Sequence, residues 1–138
     1  MPTIPATIEG ALFYRVSTLT LTPALTIEWP GEDFAQPASN RWLRVNHLPN
    51  TNRRLFNKGT DPHQRVGILQ IDVIVPIETR QIDATELAGQ VASHFPAGLP
   101  MRSGGLTVKV TRAPDIAAPV DENPRKSIPV SISYECFI

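Results

Sequence analysis

The sequence has one cysteine, three histidines, no net charge and no hydrophobic run long enough to cross a membrane. A single cysteine, Cys136, excludes an intramolecular disulfide, and His47, His63 and His94 stand at neither H-x-x-x-H nor H-x-H spacing, so no metal ligand is assigned. Thirteen Lys plus Arg balance thirteen Asp plus Glu. The chain therefore lacks an overall field to draw it onto nucleic acid or an anionic membrane, and any electrostatic partner surface has to be local. No apolar stretch approaches the ~20 residues of a spanning helix, and Met1-Pro2-Thr3 lacks the basic start of a secretory signal. The expectation is a soluble protein made in a reducing cytoplasm, with no membrane partner and no specific nucleic acid partner.

Chemical signatures are missing as well. Neither G-x-G-x-x-G nor G-x-x-x-x-G-K-[ST] occurs, no G-x-S-x-G elbow marks a nucleophile, and Cys136 has no protease-like surroundings. The adjacent acids Glu32-Asp33 and Asp121-Glu122 lie beside prolines in loops, where carboxylates are solvated rather than tuned to different pKa values. No catalytic residue and no cofactor are assigned, and the expectation is a protein that is not an enzyme.

Proline is in excess, with fourteen in 138 residues, about twice the usual ~5 per cent, which favours many chain breaks over long helices. At this length one domain, 1–138, is expected. Ile4, Ile8, Leu12, Val16 and Leu19 line one face of a first helix, with Pro5 tolerated in its first turn. Ala24 to Trp29 reads as a short strand, Pro30 to Asn40 as a loop, and Arg41 to Leu48 as a second strand. Arg65 to Pro76 alternates most strongly and should be central. Asp83, with Glu86 three positions on, predicts the cap of a second helix whose stripe is Ala84, Leu87, Ala88, Val91, Ala92 and Phe95. Ser103-Gly104-Gly105 turns the chain into a strand from Leu106 to Arg112. A proline-rich connector, Pro114 to Pro124, then leads to a last strand with Ile128, Val130, Ile132, Tyr134 and Cys136 on its apolar face. The order α-β-β-β-α-β-β predicts an α+β two-layer domain, with two helices packed on one face of a mostly antiparallel sheet of about five strands.

One local charge feature stands out. Arg53, Arg54, Lys58 and Arg65 face the single acid Asp61 within Pro49 to Arg65. The segment Pro49 to Gln64 has no periodicity and reads as a long loop, mobile in the free protein and ordered on binding, so these four cations are candidates for a partner or subunit contact. His94 is placed at the end of helix two, where the helix dipole favours a cation. Asp72, mid-strand, is expected to face an arginine such as Arg44, with a subunit contact as the alternative.

Several segments together resemble the phage tail-terminator-like family. They are Ile27-Glu28-Trp29-Pro30 followed by Phe34 and Pro37, and Leu43-Arg44-Val45 leading to Leu48-Pro49-Asn50. Gly67 through Pro76, Ala88 to Gly98 with His94-Phe95-Pro96, and Pro129 through Tyr134 complete the set. The sequence departs from the family pattern at Ile77-Glu78-Thr79-Arg80, in place of a glycine-rich turn, and at Arg125-Lys126, in place of an aromatic residue. The resemblance implies a structural virion protein of a long-tailed phage or prophage. Such a protein forms a homo-oligomeric ring, typically hexameric and monomeric when free, and caps the tail tube. Its implied partners are the tail tube protein and a head-tail connector or stopper protein, and its place is the virion tail after synthesis in the bacterial cytoplasm. A head-tail connector or stopper subunit, or a small prophage-encoded enzyme or accessory binding domain, are the competing readings.

Overall fold

A computed structural model of the chain describes residues 3–21, 25–49, 53–54 and 63–137. Its spine is a pair of long strands, β4 (His63–Pro76) and β9 (Arg125–Phe137), joined antiparallel from Gln64 opposite Phe137 to Pro76 opposite Arg125. Strand β9 alternates strictly, and the register puts Leu69, Ile71, Val73, Ile128, Val130 and Ile132 on one side of the sheet, all at most 1% exposed. A slip of one residue would exchange that set for Ser127, Pro129, Ser131 and Ser133, so the core itself holds the register.

The other strands attach to this pair. Strand β2 (Trp42–Pro49) lies antiparallel to β4, and β1 (Thr26–Glu28) runs parallel to β2 at the edge. On the far side of β9 three segments pair in succession along one strand: β8 (Val120–Glu122), β7 (Asp115–Ile116) and β6 (Leu106–Val110). Strand β5 (Pro100–Ser103) completes a hairpin with β6 around Gly104 and Gly105, whose φ values of 52° and 82° are those of a two-residue hairpin turn. A two-residue strand β3 (Arg53–Arg54) pairs with the start of β4.

The helices fill the concave side. Helix α1 (Ile4–Ser17) packs over β5 and β6 through Ile8, Ala11, Leu12 and Val16, and α2 (Gln81–Ser93) packs over β4, β7 and β9 through Ala84, Leu87, Ala88 and Val91. Thr3 caps α1 by accepting from the Ala6 amide at 3.4 Å, and the hydroxyls of Ser17 and Thr18 claim the Tyr14 and Arg15 carbonyls, which ends the helix. No helix among the described residues is long and apolar enough to cross a membrane.

The expected two-layer α+β domain with about five strands is overturned. Strand predominates, and nine strands form one sheet curled into a half-barrel around two helices, in the order α1-β1-β2-β3-β4-α2-β5-β6-β7-β8-β9. The strands missed by sequence are short, and three of them sit beside prolines. The connector Pro114–Pro124 supplies β7 and β8 because β9 is long enough to offer an open edge wherever the chain passes it. Two local expectations change too. Helix α2 starts at Gln81 with Arg80 as its cap, and Asp83 sits in the first turn, where it accepts from the Arg80 guanidinium at 3.1 and 3.4 Å. The loop expected over 49–64 contains strand at both ends, while residues 50–52 and 55–62, and with them Lys58 and the expected mobility, lie outside the described residues.

Cys136 is fully buried on the core face of β9, and burial pushes its thiol pKa up, with Arg65 opposing. The native protein at neutral pH should resist thiol labelling for far longer than the urea-unfolded chain, which should react completely. Equal labelling rates in the two states would place β9 one residue out of register.

Candidate functional site

The first turns of α1 stand above the end of the sheet where β2, β4 and β9 meet. Between them lies a cleft of about 460 Å³ lined by Pro5, Ala6, Ile8, Glu9, His47, Pro49, Arg65, Val66 and Tyr134. Gly67 sets its floor. A Cβ there would fall 2.5 Å from the Tyr134 hydroxyl oxygen and 2.9 Å from the Leu48 carbonyl oxygen, so only glycine lets the Tyr134 ring cross β4. The ring reaches β2, where its hydroxyl lies 2.5 Å from His47 Nε2, and His47 Nδ1 lies 2.7 Å from Glu9 Oε2 on α1.

The direction of this chain follows from the phenol. Burial first, then Glu9 and Cys136, push the Tyr134 pKa up to about 12, so Tyr134 keeps its proton and donates to Nε2. With Nε2 accepting, the His47 hydrogen sits on Nδ1 and is donated to Glu9. A carboxylate, an imidazole and a phenol thus tie α1, β2 and β9 together. Among the described residues, the cleft lining holds no serine, threonine or cysteine to serve as a nucleophile. Among the described residues, no group of three His, Cys, Asp or Glu side chains could hold a metal ion.

The candidate residues from sequence do not converge on one surface. Arg65 lies within β4, as the strand expected from Arg65 to Pro76 implies, on the cleft and opposite Cys136. Arg53 and Arg54 form β3 beside the start of β4, and Lys58 is outside the described residues. Asp72 is directly opposite Arg44 in register, as expected, yet Arg44 pairs instead with Glu28 at 3.2 Å, and Asp72 accepts from the Gln70 amide at 2.9 Å. His94 serves as a joint between the helices. Its Nε2 lies 3.0 Å from the Arg15 carbonyl oxygen, and the Arg15 guanidinium donates twice to the His94 carbonyl at 3.0 and 2.8 Å. Desolvation lowers the His94 pKa, against the dipole-favoured cation expected from its helix-end position.

The convex side of the sheet differs in character. At one end Trp42 is fully buried under Phe34, with ring centroids 5.7 Å apart, and under the Arg125 guanidinium 5.1 Å from its ring. At the other end the paired Leu48 and Ile68 are 49% and 37% exposed, beside Ser133. Sequence reasoning missed His47, Glu9 and Tyr134 as a group. The available signal was a glycine in the middle of an alternating strand, which marks a close approach.

The fold is a curled sheet with its helices on one side, and comparison with known proteins gives it a role in the phage tail. Residues 7–134 match the family profile described as phage tail terminator protein, and the chain belongs to that family. One solved structure, bearing no functional name, is similar over 96% of this chain and 92% of its own, with a TM-score of 0.73 and 28% identity. No curated protein matches the chain.

Two measurements check the site. Gly67→Ala should destabilise the protein by ~1–3 kcal/mol in urea unfolding, because the methyl group collides with both a ring and a backbone carbonyl. In a spectrophotometric titration one tyrosine should ionise only near pH 12. Its pKa is raised on folding, so the folded state holds the proton more tightly. The stability it contributes is complete below the unfolded value of 10.0 and is lost as pH rises towards about 12.

Proposed function

We propose that this chain is a ring subunit that caps the tail tube, ends its polymerisation and offers the opposite side of the ring to the head-tail connector. Family membership supports the tail role. The observation that carries the finer reading is the pair of unlike open edges: the sheet runs β1-β2-β4-β9-β6-β5, leaving β1 at one end and β5 at the other. A closed ring made by head-to-tail contacts needs two different complementary patches on each subunit, and two dissimilar edges on one rigid sheet provide them. The ring is hexameric by family resemblance, assembled on the tube from subunits that are monomeric when free.

Arg53, Arg54, Lys58 and Arg65 supply a local positive charge in a neutral protein and are assigned to partner or ring contacts. Asp72, in the middle of β4, is the further candidate for a subunit contact. The role is structural and non-enzymatic, in the virion tail, after synthesis in the host cytoplasm.

Electron microscopy of tail-tube protein polymerised with and without this chain tests the proposal. Capped tubes of limited length are expected, whereas tubes of unchanged length with the chain absent from their ends would favour a connector or stopper subunit. Replacing Arg53, Arg54 and Lys58 with glutamate should leave thermal stability nearly unchanged and impair capping or head joining. Wild-type assembly should weaken as salt screens these charges. Normal infectious particles from the triple variant would move the contacts to the strand edges.

A further inference from the structure

The cleft under α1 contains one group that its surroundings leave unanswered. Arg65 Nε is buried and has no hydrogen-bond partner, and no ion pair of Arg65 occurs among the described residues. The other charged group among the described lining residues, Glu9, is engaged by His47 at 2.7 Å. Across the ladder, Cys136 faces Arg65 with a thiol that burial keeps protonated, so it supplies no counter-charge. A buried N–H without an acceptor is rare in native proteins and costs free energy, and on a guanidinium the fitting acceptor is an anion with planar oxygens.

The rest of the lining defines what carries that anion. Pro5, Ala6, Ile8, Pro49 and Val66 form apolar walls, and the volume of about 460 Å³ lies in the range of small-ligand sites. The Tyr134 hydroxyl and both His47 nitrogens are already paired with each other and with Glu9, so they hold the wall rigid instead of seeking a ligand. We infer that this cleft is a binding site for a carboxylate carried on a small apolar body, with the carboxylate on Arg65 and the body against α1 and Pro49. In an assembly protein the occupant is a peptide, which presents this chemistry either at its C-terminus or as an acidic side chain next to an apolar one.

The test uses the free, isotopically labelled subunit and needs neither tube nor ring, so its result is independent of the capping proposal. Three probes are titrated and followed by amide chemical shifts: acetylated Leu-Leu with a free carboxylate, the same dipeptide amidated, and acetylated Glu-Leu amidated. The free acid should give saturable shifts at Ala6, Val66 and Tyr134, and amidation of Leu-Leu should weaken binding by about tenfold or more. If Glu-Leu amide binds as well as the free acid, the source is a side chain; if only the free acid binds, it is a chain terminus. Arg65→Met should abolish the preference for acid over amide. Should that variant fail to fold, the acid and amide probes on the unaltered protein still decide the matter. Equal binding of the Leu-Leu acid and amide, or no saturable shift up to the solubility of the probes, would overturn the inference.

Discussion

The antiparallel ladder between β4 and β9 is the constraint on which everything else rests. Its thirteen paired positions bring the start of β4 beside the end of the chain and lay the apolar residues of both strands on one face. Each strand in turn offers its outer edge to others: β4 to β2 and β3, and β9 to β8, β7 and β6. One long strand that pairs with three short ones in succession has to follow the right-handed twist over its whole length, and the sheet curls. Curling produces the hollow in which α1 and α2 lie, so the helices are positioned by the ladder and not by each other. Their direct link, through Arg15 and His94, is a small polar joint at the helix ends.

The two sides of the sheet carry different responsibilities. The concave side is dry except at its end, where Tyr134, His47 and Glu9 replace apolar contact with a hydrogen-bonded chain. Among the described residues, no helix lies on the convex side. The segment 30–41 shields Trp42 and leaves the Leu48–Ile68 end open. Stability resides in the helix-covered face, while the other keeps Leu48 and Ile68 exposed at one end.

Much of this was legible in the sequence where the signal was long. The alternation through Leu69, Ile71, Val73 and Val75, and again through Ile128 to Cys136, located the two spine strands, and the spacing Ile8, Leu12, Val16 located the buried stripe of α1. The number of strands and the curl were not legible. Strands β3, β5, β7 and β8 are two to four residues long, too short for a periodicity, and they exist because a neighbour's edge is open rather than because their own residues favour extension. The cleft was hidden for a different reason. His47 is 38 residues from Glu9 and 87 from Tyr134, and each residue alone suits an ordinary helix or strand position. Asp72 shows the limit of register: the ladder placed it opposite Arg44, but the guanidinium turned to Glu28, which also accepts from the Trp42 indole at 2.9 Å.

Two segments far apart in the chain, 77–80 and 124–126, meet in space. Lys126 is buried and donates to the Thr79 carbonyl at 2.7 Å, while the Ile77 amide donates to the Pro124 carbonyl at 2.9 Å, so the turn after β4 and the start of β9 are bolted together by these very residues. A lysine buried on one strand is tolerable because the facing turn presents a carbonyl to it. The far end of the spine is thus pinned from both strands, and the turn at 77–80 moves with the start of β9 as one piece.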